Sequence, residues 1–266
     1  MESLGKDFKH ALRMFGRNPG FTLTAVAALA LGIGATVATF SVVNAVLLKP
    51  ISAPAPEEMV VFLSTSKGLP PGAFASDIKF NLWRSETSVF EDVSGYHSVS
   101  SILTAVDRPQ RLHLMAVTLD YFRLFGLGLA QGRGFTPEEE GPHGAKVVVL
   151  GNEFWKRAFG GDPGIVGKLI SLDDESYQVI GILAQGHRFE SEEPPDVWLP
   201  FQIDPASDNQ VHYFQAAGRL KPGVTLGMAN ARLQGTTQEF RRQYPHALST
   251  SREDVFSVQP LQDFLV

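Results

Sequence analysis

The chain of 266 residues contains no cysteine. Disulfides, thiolate metal sites and cysteine nucleophiles are excluded together, so the fold must be held by apolar packing, and the absence suits an oxidising compartment. Histidine is sparse as well. The seven are scattered singly, and none forms the i, i+4 pair with a glutamate that a zinc hydrolase needs. No Gly-x-Ser-x-Gly elbow occurs. The nearest approach to a phosphate loop is GGDPGIVGKL, where five residues separate Gly161 from Gly167 and Leu169 stands in the place of the magnesium-binding hydroxyl. Gly32-Ile33-Gly34 and Gly126-Leu127-Gly128 lack the order of strand, glycine turn and helix that a dinucleotide site requires. The acidic runs Glu138 to Glu140, Asp173 to Glu175 and Glu190 to Glu193 read as solvated turns or helix starts, not as a catalytic carboxylate pair. We therefore expect no enzyme: no catalytic, cofactor-binding or metal residue is assigned, no cofactor is expected, and no substrate-binding residue can be named. A net charge of −5 and a pI near 5.8 give no electrostatic basis for binding nucleic acid.

Charge is missing altogether from Phe21 to Leu48, FTLTAVAALALGIGATVATFSVVNAVLL. As a helix this stretch reaches roughly 40 Å, against about 30 Å of bilayer hydrocarbon. A cleaved signal peptide has an apolar core of about 7 to 15 residues, so despite the small pair Ala53 and Ala55 the spacing predicts an uncleaved membrane anchor. Lys6, Lys9, Arg13 and Arg17 precede it and Lys49 follows, which places the N-terminus in the cytoplasm and everything from about Ile51 outside it. Before the span, Leu4, Phe8, Leu12 and Phe15 share one helical face and the basic residues another, an amphipathic helix for the inner lipid surface that Asn18-Pro19-Gly20 interrupts.

Beyond the span, Pro50, Pro54 and Pro56 make a stiff exit. Met59 to Ser64 reads as a strand, and Ser76-Asp77 as the cap of a helix carrying Ile78, Phe80, Leu82 and Trp83. Val93 to Ala105 and Arg111 to Val117 read as strands around Asp107-Arg108-Pro109, with His113 toward water. A middle block follows. It holds a short helix DYFRLFG ended by Gly126, a capping box at Thr136-Pro137-Glu138-Glu139, a strand from Lys146 to Leu150 and a helix from Glu153 to Phe159. A hairpin of Lys168 to Leu172 and Ser176 to Leu183 turns over Asp173-Asp174-Glu175, and Asp196 to Pro200 closes the block. The final block has a strand Tyr213 to Leu220, the turn Lys221-Pro222-Gly223, a helix Thr225 to Tyr244 with a stripe of Leu226, Ala229, Leu233, Thr237, Phe240 and Tyr244, and a last strand Phe256 to Leu261.

Several ordered pieces of this block pattern resemble a known family. VTLDYFRLFGLGLAQGRGFTPEE, then VVVLGNEFWKRAFGGDPGIVGKLISLDDESYQVIGIL, then DVWLP, resemble the periplasmic core domain of MacB-type ABC transporter permeases. The opening KDFKHALRMFGRNPGFTLTAVAALALGIGATVATFSVVNAVLLKP is similar to the start of such permeases, especially the duplicated orphan permeases of acidobacterial type. The resemblance implies an α+β fold: one transmembrane helix, then a mixed α/β periplasmic core domain in which a porter-like split subdomain surrounds an inserted β-rich one. The divisions are 1–20 cytoplasmic helix, 21–48 transmembrane helix and 49–266 core domain, split at about 57–117 and 211–262 with the insert at about 118–205. It further implies an inner-membrane location, membrane lipid and a separate ABC ATPase subunit with the remaining permease helices as partners, and a periplasmic adaptor or substrate protein as a contact. ATP would be bound by that ATPase, and the chain would transmit its motion for efflux or extraction. QPLQDFLV ends where such permeases continue into a second span, so the expectation is an N-terminal fragment or truncated product, unable to transport by itself. The alternative is a stand-alone membrane-anchored binding or adaptor module.

Overall fold

The computed structural model describes residues 18–46, 53–65, 70–104, 109–186, 194–247 and 255–265. The amphipathic helix expected before the span, Pro50, Asp107, Arg108 and Glu190 to Glu193 lie outside these residues.

Helix α1 runs over Pro19–Val46. Pro19 takes its first helical position, where no N–H is needed, and the Thr22 N–H donates to the Asn18 carbonyl at 3.0 Å; the helix that Asn18-Pro19-Gly20 was expected to interrupt lies outside the described residues. The hydroxyls of Thr22, Thr24 and Thr36 are satisfied by carbonyls one turn back, as where Thr36 Oγ1 donates to the Gly32 carbonyl at 2.9 Å. Its large apolar side chains face outward, Leu31 at 75% exposure and Phe21 at 71%. A helix of 28 residues in this state is long enough and apolar enough to cross a bilayer.

The rest of the chain forms one unit, Ile51–Leu265. Strand β1 (Met59–Thr65) lies between β10 (Phe214–Leu220) and β11 (Val255–Pro260), antiparallel to both, and β10 in turn pairs antiparallel with β3 (Phe90–Thr104). Helix α2 (Asp77–Arg84) connects β1 to β3, and a longer helix over Leu226–Gln243 connects β10 to β11. The order β11-β1-β10-β3 is thus two interleaved βαβ units, a ferredoxin-like split arrangement. MVVFLS has no polar alternation because both faces of β1 are covered. Val60 and Phe62 meet Phe80, Trp83, Leu233, Phe240 and Phe256 on the helical side, while Met59, Val61 and Leu63 meet Leu124, Ala217 and Leu261 on the other. Phe62 stacks on Trp83 at 4.9 Å between centroids. Two short elements escaped the sequence reading here: β2 (Phe74–Ala75), paired with β10, and a closing helix over Leu261–Leu265 that takes Leu261 out of the last strand.

Between β3 and β10 lie β4 (Gln110–Val117), helix α3 (Tyr121–Leu124), β5 (Leu129–Gly132), helix α4 (Pro137–Glu140), β6 (Val147–Leu150), helix α5 (Asn152–Phe159), β7 (Leu169–Leu172), β8 (Glu175–Leu183) and β9 (Val197–Pro200). In chain order the helices over Leu226–Gln243 and Leu261–Leu265 are α6 and α7. The pairings β3 to β4, β4 to β9, β9 to β6, β6 to β8, β8 to β7 and β7 back to β3 close a ring. Its contents come from every wall: Leu103 from β3, Leu112 and Leu114 from β4, Val197 from β9, Val148 and Leu150 from β6, Val179 and Ile182 from β8, Ile170 and Leu172 from β7, with Phe154 of α5 packed among them. A small closed barrel filled by side chains has no edge to protect. Outside it, Val147, Val149, Ile180 and Trp198 pack with Tyr121, Leu127 and Phe135, which is why β6 is apolar at every position.

The turns follow their chemistry. Asp173 and Asp174 take φ of 49° and 65° between β7 and β8, as a two-residue hairpin turn demands, and the Ile102 N–H donates to Asp173 Oδ1 at 3.0 Å. Gly160, at φ 62°, ends α5.

Candidate functional site

The place where the chain enters the domain is built from three separated segments. Ala55 turns the backbone at φ 45° and leads into a single 3-10 turn, Pro56–Glu58, immediately before β1. The ring of Pro54 rests on Gly126. A Cβ at Gly126 would stand 2.5 Å from Pro54 Cδ, and φ of +67° requires glycine there independently. Gly126 ends α3, whose Leu124 carbonyl is left without an intrahelical partner. Arg219 fills the gap. It lies in β10, buried to 7% exposure, two residues from Ala217 and so on the same face of the sheet. Its Nη1 donates to the Pro54 carbonyl and, at 3.5 Å, to that of Ala55, while Nη2 donates to the Leu124 carbonyl. A planar fork of donors suits this task, since each arm reaches a different segment.

A second group of charges fastens the segment Thr118–Gly126 to β3 and α2. Arg123 donates through Nε to Asp92 Oδ1 at 2.9 Å and through Nη2 to Asp120 Oδ1 at 2.7 Å. Asp92 is only 4% exposed, so the charge-assisted bond is made in a poorly solvated place, and it raises the Arg123 pKa above its ordinary value. Burial pushes the Asp120 carboxyl up against the opposing pull of Arg123. Arg84 of α2 pairs with Glu140, whose other oxygen accepts the Leu119 N–H. Beside it, Arg133 grips Glu139 at 2.7 and 2.9 Å, and the Thr136 N–H donates to the same carboxylate at 2.9 Å, one half of the expected capping box. Glu139 and Glu140, read from sequence as part of a solvated acidic run, are instead 7% and 6% exposed, because each is engaged by an arginine and a backbone amide. On the return path to β10, Asp77 accepts from Ser207 at 2.7 Å and from the Tyr213 hydroxyl at 2.8 Å; burial first and Asp77 second raise that phenol's pKa. Ser76 holds the N-cap position of α2 as expected, but its side chain makes no cap bond.

A cleft of about 410 Å³ opens at the carboxyl ends of β6 and β8, bounded by Arg111, His113, Asn152, Arg157, Asp196 and Trp198. Its floor carboxylate is already occupied: Asp196 Oδ1 takes Arg157 Nη2 at 2.6 Å, and Oδ2 takes the His113 N–H at 3.1 Å. Among the described residues no three metal-ligating side chains come together. The phosphate-loop-like GGDPGIVGKL is closed on itself, since Asp162 accepts from the Gly164 N–H at 2.8 Å and from Lys168 Nζ at 3.0 Å. His97, half-buried against Phe201 at 4.8 Å and Tyr213 at 5.7 Å, has its pKa lowered by burial. His113 projects outward from β4, as its alternation with Leu112 and Leu114 predicted. Arg219 was missed in the sequence. The available signal was its parity with Ala217 in FQAAGRL, which puts a cation on an inward position of a strand.

The family description MacB-like periplasmic core domain matches residues 22–236. No curated protein matches the chain. Among solved structures, the chain is similar to a domain of a protein described as a permease from Porphyromonas gingivalis, with 15% identity, a TM-score of 0.58 and coverage of 79% of this chain and 93% of that one. It is similar to the periplasmic region of MacB from Actinobacillus actinomycetemcomitans, with 17% identity, a TM-score of 0.54 and coverage of 78% and 90%. It is also similar to the extracellular domain of the noncanonic ABC-type transporter YknZ from Gram-positive bacteria, with 13% identity, a TM-score of 0.52 and coverage of 76% and 99%. At these identities the three structures share the fold, and with the family match over most of its length the chain belongs to the MacB-like periplasmic core domains of ABC transporter permeases.

Proposed function

We propose that this chain is the anchored outer part of a MacB-like permease that carries motion, driven by a partner ABC ATPase, across the inner membrane for efflux or extraction of a substrate. The observation that carries the reading is β3. This strand of 15 residues is a wall of the ring at one end and a member of the ferredoxin-like sheet at the other, and the Arg123 and Arg84 ion pairs fasten the same junction. A displacement applied where the chain enters the sheet is therefore delivered to the ring with little lost in bending. The split at about 57–117 and 211–262 around an insert at about 118–205 is part of this proposal, as are the cytoplasmic N-terminus, contact with lipid and a role without catalysis. The chain supplies the lever, and ATP is bound by the ATPase.

The test is made on the protein in membranes of its native host. Because the chain lacks cysteine, Ser3→Cys and Ser176→Cys each introduce one thiol. An impermeant maleimide applied to spheroplasts should label only the Ser176→Cys variant. The tagged chain should co-purify with an ABC ATPase, and a dye at Ser176→Cys should change its emission on adding ATP. Correct labelling with no ATPase and no ATP response would overturn transmission in favour of an anchored adaptor.

A further inference from the structure

We propose that Arg219 is the positioning residue that fastens the stretch leading from α1 to the moving body of the domain. This rests on the transmission reading above and deepens it by naming the joint. Four observations converge. Arg219 is buried, and among the described residues its hydrogen bonds go to three main-chain carbonyls and to no carboxylate. Buried cations are expensive to keep and are usually paired, so a guanidinium spent on carbonyls is retained for the geometry it imposes. Two of those carbonyls, of Pro54 and Ala55, belong to the last residues before the 3-10 turn that opens β1. The third, of Leu124, belongs to α3, the segment that Arg123 and Asp92 tie to β3. The fork thus reaches the incoming chain with one arm and the block joined to the ring with the other, from a strand that itself pairs with β1 and β3. The ring of Pro54, seated on Gly126, adds a steric contact between the same two segments.

The alternative to fastening is simple core filling, and the chemistry separates the two. Lysine keeps the charge and most of the apolar stem but offers a compact ammonium in place of a fork, so it cannot hold both segments in the same geometry. A filler tolerates that change and a joint does not.

The experiment uses the permease with its ATPase in lipid nanodiscs, reading the ATP-driven emission change of a dye at Ser176→Cys per ATP hydrolysed. Arg219→Ala should lose about tenfold or more of the response while hydrolysis continues, as expected when the charge-assisted bonds to all three carbonyls go, and Arg219→Lys should fall between. A wild-type response in Arg219→Ala, or in Arg219→Lys, overturns the proposal. If the wild-type protein shows no ATP response, the transmission reading fails and the joint is judged on the full chain alone by hydrogen exchange. There Arg219→Ala should speed exchange at the Glu58 and Met59 amides by about tenfold or more with β6 unaffected, and equal protection overturns it.

Discussion

At the scale of single residues, the carboxylates show how local partners set a response to pH. The hydrogen bond from Arg133, with the Thr136 amide, holds the Glu139 pKa below its ordinary value of 4.5. A carboxylate depressed on folding adds stability that is present above its unfolded pKa and is lost as pH falls through the folded value. Glu139→Gln should therefore lower stability at neutral pH and flatten the acid limb of the unfolding midpoint below about pH 4.5. Half-exposed Arg133 keeps the size modest. Urea titrations of the detergent-solubilised chain between neutral and acid pH read this directly; parallel acid limbs for the two proteins would contradict it. Arg219 belongs to the same scale and shows why sequence was silent there. Strand parity placed it facing inward, but that three carbonyls from distant segments would converge on it depends on where the chain goes after Ala53 and after Gly126, which no local pattern contains.

At the scale of elements, the edge strand β11 carries the clearest device. Its Phe256 and Val258 backbone groups point away from β1, yet they are not left open. Asn230 of α6 accepts the Val258 N–H at 2.8 Å and donates to the Val258 carbonyl at 3.1 Å, as a neighbouring strand would, and Thr237 accepts the Phe256 N–H at 2.9 Å. Helix side chains thus occupy the positions at which another chain could add a strand. Asn230→Ala leaves a backbone donor and acceptor without partners and should cost about 1–3 kcal/mol in unfolding free energy, with Asn230→Asp, which keeps the acceptor, intermediate. A thermal melt of the two variants decides it, and a cost no larger than that of an exposed-site alanine would contradict it. Most elements were legible because their signals are local: the alternation of SYQVIGIL, the capping box at Thr136, the glycines after Phe159, the stripe of α6. LAQG was not, since nothing in Leu129–Gly132 favours a strand; β8 recruits it, and Gly132 is needed both for its φ of +79° and because a Cβ there would meet the Ile180 carbonyl oxygen at 2.2 Å.

At the scale of the whole outer unit, the ring and the sheet are bound through β3 and by two ion pairs that bury their carboxylates. Arg84→Ala and Arg123→Ala should each destabilise, and because both act on the Thr118–Gly126 segment the double variant should depart from additivity by about 0.5–3 kcal/mol. Additive losses would mean that the junction is two independent contacts. The ring itself could not be read from sequence. Each of its strands was visible or half-visible, but its closure rests on β7 returning to the far end of β3 at Leu103 and Thr104, a long-range pairing that hydrophobic alternation does not encode.

That β1, among the described residues, pairs with β10 and β11 and with no strand made before them sets an order of events during synthesis. MVVFLS is made near the start of the outer unit, but its partners do not appear until Phe214 and Val255 have been added. At about 5–20 residues per second, the strand waits on the order of ten seconds or more without the two strands that flank it. The walls of the ring lie between, from Phe90 to Pro200, and can close first. A nascent chain stopped before Phe214 would therefore carry a finished ring beside an orphaned, aggregation-prone strand, which gives the cell's holding chaperones a defined segment to guard.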